Sequence, residues 1–107
     1  MALRSLGKVT VTSGGTPVRV TANETAPAAR VAVQSLTVQP IATNTGNIYV
    51  GNASMDRTTL AGVYLIVPTT GYFSGSIPLS PAGLNAAEIY LDADTDGNAA
   101  LVSAIEQ

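Results

Sequence analysis

Turn-forming residues interrupt this chain so often that few windows remain in which a helix of ordinary length could form. Ten glycines and six prolines punctuate the 107 residues at short intervals. The segments between them are rich in Val, Thr, Ile and Tyr, which favour extended strands. We therefore expect an all-β domain of short strands joined by tight turns.

Alternation of apolar and polar residues divides the chain into about eight short antiparallel strands. A switch of that alternation at Gln34–Ser35 predicts either a bulge in the third strand or a strand that changes sheets at a corner. Gly14–Gly15 predicts a hairpin between the first two strands. The apolar run Val63–Val67 is expected to be buried on both faces, and Pro81–Ala87 to form a helical turn. The strands are predicted at Lys8–Thr12, Pro17–Thr21, Arg30–Gln39, Asn47–Gly51, Gly62–Val67, Tyr72–Leu79, Glu88–Ala93 and Ala99–Ile105.

This spacing leaves no room for crossover helices, so it favours an antiparallel β-sandwich or jelly-roll-like domain over a parallel α/β sheet. We assign residues 8–107 to that single domain and residues 1–7 to an extended N-terminal arm. Leu3 and Leu6 on the arm are candidate anchors for a neighbouring chain, with strand addition as the binding mode. The alternative is a frayed terminus.

Charge is unusually sparse, with 11% charged residues and a net charge of −2. The five cations are scattered singly, so the sequence predicts no nucleic-acid binding. The longest strongly apolar run is far too short to span a bilayer, and the N-terminus lacks the features of a secretory signal, so we expect synthesis in the cytoplasm. A surface of Thr, Ser, Asn, Gly and Ala packs easily against protein, which indicates that much of this surface lies in protein–protein contact.

Catalytic chemistry has few candidate residues in this chain. The chain contains neither His nor Cys, which excludes Ser-His-Asp and Cys-His arrangements and ordinary zinc sites. Glu24, Glu88 and Glu106 could supply a carboxylate pair, but no feature of the sequence selects two of them. We therefore predict that the protein is not an enzyme and carries no cofactor.

The stretch Asp92–Gly97 spells D-x-D-x-D-G, which is the first half of a calcium-binding loop. Asp92, Asp94 and Asp96 could converge on a hard cation. The twelfth loop position is Ser103, where a calcium loop requires a bidentate Glu. A tight turn between two strands with solvated acids is the favoured interpretation, and a calcium site is the alternative.

Two motifs, Asn44–Asn52 and Ala87–Ala93 followed by Asp96–Asn98, occur in the order found in small virion proteins of tailed bacteriophages. The chain resembles capsid decoration (cement) proteins and related head or tail accessory subunits from Asn44 onward. It lacks the Pro-Gly pair that such families often carry between the two motifs. The resemblance implies a compact β-sandwich or jelly roll that associates into a small homo-oligomer, either a dimer or a trimer, and clamps the major capsid protein. It implies no catalytic residue.

The expected function is therefore that of a structural protein on the surface of the virion, which binds the assembled phage capsid and stabilises it. The alternative is a receptor- or glycan-binding module of a tail fibre or spike, which would use the tyrosines and the Asp92–Asp96 turn. The candidate interface residues are Leu3, Leu6, Asn44, Asn47, Tyr49, Tyr72 and Tyr90.

Overall fold

The computed structural model describes residues 3–68, 75–77 and 83–106, and these form nine strands and a 3-10 helix at Ala86–Glu88. The expected all-β domain is confirmed. In chain order the strands are β1 (Leu3–Thr10), β2 (Val18–Arg19), β3 (Ala32–Pro40), β4 (Ile48–Gly51), β5 (Val63–Val67), β6 (Gly75–Ile77), β7 (Leu84–Asn85), β8 (Tyr90–Ala93) and β9 (Ala99–Glu106).

The strands form two antiparallel sheets. The five-stranded sheet has the order β1-β9-β3-β6, with β7 also paired to β3, and the four-stranded sheet has the order β2-β8-β4-β5. The hydrophobic core lies between the sheets because residues of both contribute to one buried cluster. No helix in the described part of the chain is long and apolar enough to cross a membrane.

Small and branched side chains fill this core according to the two-residue period of the strands. In β9 the residues Ala100, Val102 and Ala104 are buried, while Leu101 between them is exposed. The bulge predicted at Gln34–Ser35 is confirmed, since the register of β3 against β9 shifts between Val33 and Ser35. That shift keeps both Val33 and Leu36 in the core.

The predicted arm and hairpin are both corrected by the structure. β1 begins at Leu3, within the predicted arm, and pairs with β9 up to Ile105. The Gly14–Gly15 turn joins β1 to β2, which lie in different sheets, and so it carries the chain between layers and forms no hairpin. The glycines do form a turn, but β1 and β2 pair with strands that are distant in the sequence, β9 and β8.

Two further sequence predictions differ from the structure. The run Val63–Val67 forms β5, yet Tyr64 and Ile66 are exposed, because the outer side of this end strand is not covered as its inner side is. Pro81 and Ala82 of the predicted helical turn Pro81–Ala87 lie outside the described residues. The rest of it forms β7 and most of the 3-10 helix, which ends one residue later at Glu88. Of the predicted strand Tyr72–Leu79, only 75–77 lies within the described residues.

Candidate interaction surfaces

The acidic turn after β8 holds one end of the sandwich together through its carboxylates. Asp92 is 1% exposed, and its Oδ1 accepts hydrogen bonds from the backbone N–H groups of Gly15 and Ala93, both at 2.8 Å. Asp96 Oδ1 accepts from the N–H of Gly14 at 2.7 Å. The two carboxylates therefore fix the turn that passes between the sheets, since each satisfies backbone donors that lack a strand partner.

Asp94 binds a second loop at the same end. Its Oδ2 accepts from the backbone N–H of Asn47 at 3.1 Å, and its Oδ1 accepts from the Tyr49 hydroxyl at 2.9 Å. Burial, followed by this hydrogen bond to Asp94, raises the pKa of Tyr49 above its usual 10.0. Tyr49 is thus 8% exposed and tied to its own domain.

The expected tight turn at Asp92–Gly97 is present, although Asp92 is buried rather than solvated. Within the described ranges, no three acidic, His or Cys side chains lie close enough together to hold a metal ion. The carboxylates instead accept hydrogen bonds from neighbouring loops. This geometry supports a structural role, in which the carboxylates hold neighbouring loops together through hydrogen bonds.

Asn44 also serves the fold. Its side chain donates from Nδ2 to the Ala99 carbonyl at 2.7 Å and accepts at Oδ1 from the Ala99 N–H at 2.9 Å, as a paired strand would. Together with the Asn47–Asp94 bond, this attaches the Asn44–Asn47 loop to the start of β9. The side chain of Asn44 and the backbone N–H of Asn47 are thus used in contacts within the domain.

Part of the outer face of the four-stranded sheet, over β4 and β8, is covered by its own loop, Asn52–Gly62, which we call the strap. Met55 anchors the strap at 6% exposure. A Cβ on Gly51 in β4 would lie 3.0 Å from the Met55 sulfur, so Met55 packs directly on this strand. Arg57 extends from the strap and donates to the Ala93 carbonyl of β8.

The outer face of the five-stranded sheet, in contrast, has no such cover among the described residues. We call it the open face. Leu3 is 84% exposed and Leu101 is 43% exposed. Lys8 lies opposite Leu101 in the register and is the one charged side chain among the outward positions of β1, β9 and β3. Those positions are Leu3, Ser5, Lys8, Thr10, Leu101, Ser103, Ile105, Ser35, Thr37 and Gln39.

The outer edge of β1 is partly capped by a side chain. Asn23 Nδ2 donates to the carbonyl oxygens of Leu6 and Lys8, at 3.3 and 2.7 Å. These carbonyls would otherwise be free to accept from an added strand. This arrangement disfavours the strand addition predicted for the N-terminal arm. Residues 3–7 already belong to a strand of this sheet, and Asn23 already occupies two of the carbonyls on its outer edge.

The other predicted interface residues are distributed unevenly. Leu6 is 1% exposed and belongs to the core, which corrects its prediction as an anchor. Tyr90 is half-buried, with the Arg19 guanidinium 5.4 Å from its ring centroid. Tyr72 lies outside the described residues.

Sequence reasoning missed Tyr64, which is 61% exposed. It lines a cleft of about 290 Å³ between β5 and the segment that contains β7 and the 3-10 helix. The alternation of Tyr64 and Ile66 was visible in the sequence, but the intervening apolar Leu65 concealed which face was covered. The other residues that line the cleft are Leu84, Asn85, Glu88 and Ile89.

Comparison with known proteins adds no relative. No protein family, curated protein or solved structure matches this chain. Any function of this protein is therefore inferred from its sequence and from the surfaces described above.

Proposed function

We propose that this protein is a structural subunit of a tailed-bacteriophage particle that binds the surface of the assembled capsid and stabilises it. The resemblance of the segment from Asn44 onward to decoration proteins supports this proposal. In this role the protein is made in the host bacterial cytoplasm and performs no catalysis. Its main partner is the major capsid protein.

The observation that carries the proposal is the open face. It is a flat surface of Ser, Thr, Gln and aliphatic side chains with one charge, Lys8, among its described positions. Cores of protein interfaces are depleted in charge in the same way. The strap covers the other sheet over β4 and β8, so the two faces of the sandwich differ in what they leave free for a partner.

The size of the open face bears on the number of copies that must bind together. Strands of eight residues, such as β1 and β9, extend about 26 Å, and three neighbouring strands are about 14 Å wide, which gives roughly 370 Å². A stable interface takes about 800 Å² from each partner. One face is too small to bind stably by itself, which supports a small oligomer that engages several sites at once.

Capsids that lack this protein provide the test. Purified protein is mixed with them and sedimented, and the bound copies are counted against the major capsid protein. We expect near-equal stoichiometry and greater resistance of the particle to heat. Leu101→Asp, which puts a charge in the middle of the open face, should abolish binding, whereas Thr58→Asp on the strap should not.

Thr58→Asp is a matched control because Thr58 is also exposed and lies on the loop that covers the opposite sheet. Both variants must first unfold at the same temperature as the wild-type protein. Failure of the wild-type protein to bind such capsids would overturn the proposal. Equal binding by the two variants would exclude the open face as the contact.

A further inference from the structure

The cleft beside Tyr64 has a volume of about 290 Å³. Sites for small molecules usually range from about 300 to 1,000 Å³, so this cleft lies at the lower end of that range and is large enough for a single side chain. Its position is well defined because Asn85 Oδ1 accepts from the backbone N–H groups of Val31 and Ala87, both at 3.1 Å. These two bonds hold one wall of the cleft in place.

Charge in the cleft comes from Glu88 alone among its lining residues. Glu88 is exposed, and the ion pairs between described residues join Arg4 to Glu24 and to Glu106 instead. The Glu88 carboxylate therefore has no cationic partner in the described part of the chain. A cation that enters the cleft would gain a charge-assisted hydrogen bond without displacing an existing ion pair.

The remaining walls suit the rest of a basic side chain. Tyr64 is 61% exposed, and the face of an aromatic ring attracts a cation. Leu84 and Ile89 offer apolar contact for the methylene groups of a lysine or arginine. The same chemistry occurs nearby, where the Arg19 guanidinium lies over the Tyr90 ring and Arg19 Nε donates to the carbonyl of Ala87.

We infer that this cleft is a socket for an arginine or lysine side chain of the protein partner. The inference rests on the proposed function, since it names the chemistry by which the capsid partner would be recognised. The carboxylate of Glu88 binds the cationic group, the Tyr64 ring packs over it, and the apolar walls hold its stem. The socket would supplement the open face, which by itself is too small.

The first test uses a probe that is independent of the capsid. N-acetylarginine methylamide is titrated into the labelled protein while backbone amide resonances are recorded. We expect saturable shifts at Tyr64 and across residues 84–89, and weaker shifts at high salt. Glu88→Gln should weaken the binding about fivefold, whereas Asp56→Asn, which removes one exposed acid on the strap, should not.

The neutral norleucine analogue and a methyl glucoside are titrated in parallel. Equal shifts with norleucine would show that the cleft takes any apolar stem, and stronger shifts with the glucoside would show a sugar site. Either result would overturn the socket, as would the absence of localised shifts with the arginine probe. An unchanged amide spectrum shows that each variant is folded.

The second test measures sedimentation of Glu88→Gln with capsids. We expect weaker binding than for the wild type and for Asp56→Asn. Unchanged binding would overturn the socket and leave the proposed function intact. If the wild type itself does not bind capsids, the proposed function fails, while the arginine titration still decides whether the cleft takes a basic side chain.

Discussion

Replacement of Asp92 gives the sharpest test of how the loop end of the sandwich is held. The carboxylate is 1% exposed and its Oδ1 accepts from the N–H groups of Gly15 and Ala93. Asp92→Ala removes the acceptor of both. The Ala93 N–H is buried and costs about 1–3 kcal/mol when unsatisfied, whereas the Gly15 N–H is nearer to solvent and costs less.

The sum is a loss of about 2–4 kcal/mol from the free energy of unfolding. This is a large share of the total, because domains of this size are stable by only about 5–15 kcal/mol. Asp92→Asn keeps an oxygen that can accept both bonds and loses only the contribution of the charge. We expect it to cost about 1–2 kcal/mol.

Urea unfolding followed by circular dichroism measures both variants. Asp96→Asn is the control, since Asp96 is exposed and accepts one bond, so that its loss should stay below about 1 kcal/mol. The reasoning is refuted if Asp92→Ala unfolds within about 0.5 kcal/mol of the wild type. An Asp92→Asn variant as destabilised as Asp92→Ala would refute it too, because the acceptor oxygen at position 92 would then not be what stabilises the fold.

Three other outcomes follow from described contacts. Asn23→Ala frees two carbonyls on the edge of β1, so sedimentation velocity should show association that grows with protein concentration. Gly51→Ala places a Cβ 2.2 Å from a strap carbonyl and should cost about 1–3 kcal/mol in urea unfolding or displace the strap. The pKa of Tyr49 in the folded protein is raised above 10.0, so its protonated hydroxyl contributes fully to the free energy of unfolding below pH 10, and this contribution is lost as the pH rises through the folded-state pKa. Absorbance of tyrosinate should show that Tyr49 titrates at a higher pH than a free tyrosine.

Each of these has a discriminating control. Gly97→Ala meets no atom within 4 Å of the added Cβ, but its φ of +83° makes it a measure of backbone strain alone. Tyr49→Phe removes the hydroxyl and should remove the alkaline loss of stability with it. Asn23→Asp also removes the donor but puts a negative charge on the edge, which opposes pairing with a second chain, so it should associate less than Asn23→Ala. Equal association of the two variants would argue that the freed carbonyls are not what pairs.

The strand content and much of its placement could be predicted from the sequence, because burial in a strand leaves a local two-residue period. The break of that period at Gln34–Ser35 even located a bulge. The pairing of strands could not be predicted in this way. Gly14 and Gly15 resemble a hairpin turn, but their N–H groups are held by Asp96 and Asp92, which are 82 and 77 residues away.

The candidate site residues show the same limit. The sequence places Leu6 in an arm because the regular alternation begins only at Lys8, yet the φ of +79° at Gly7 accompanies a bulge that lets β1 start earlier. Tyr49 was read correctly as a strand residue, but its bond to Asp94 depends on a loop from elsewhere in the chain. The exposure of Tyr64 depends on which positions on the outer face of the four-stranded sheet the strap covers, and no local sequence pattern predicts that.

The pairing of β1 with β9 also constrains when the domain can fold. β9 is the last of the nine strands to be synthesised, and it lies between β1 and β3 in the five-stranded sheet. Until β9 leaves the ribosome, the growing chain holds β1 and β3 without the strand that joins them. Contacts as distant as Leu3 with Ile105 make folding slow. The emergence of β9 from the ribosome, rather than the passage of any earlier segment, is therefore what allows productive folding of this domain.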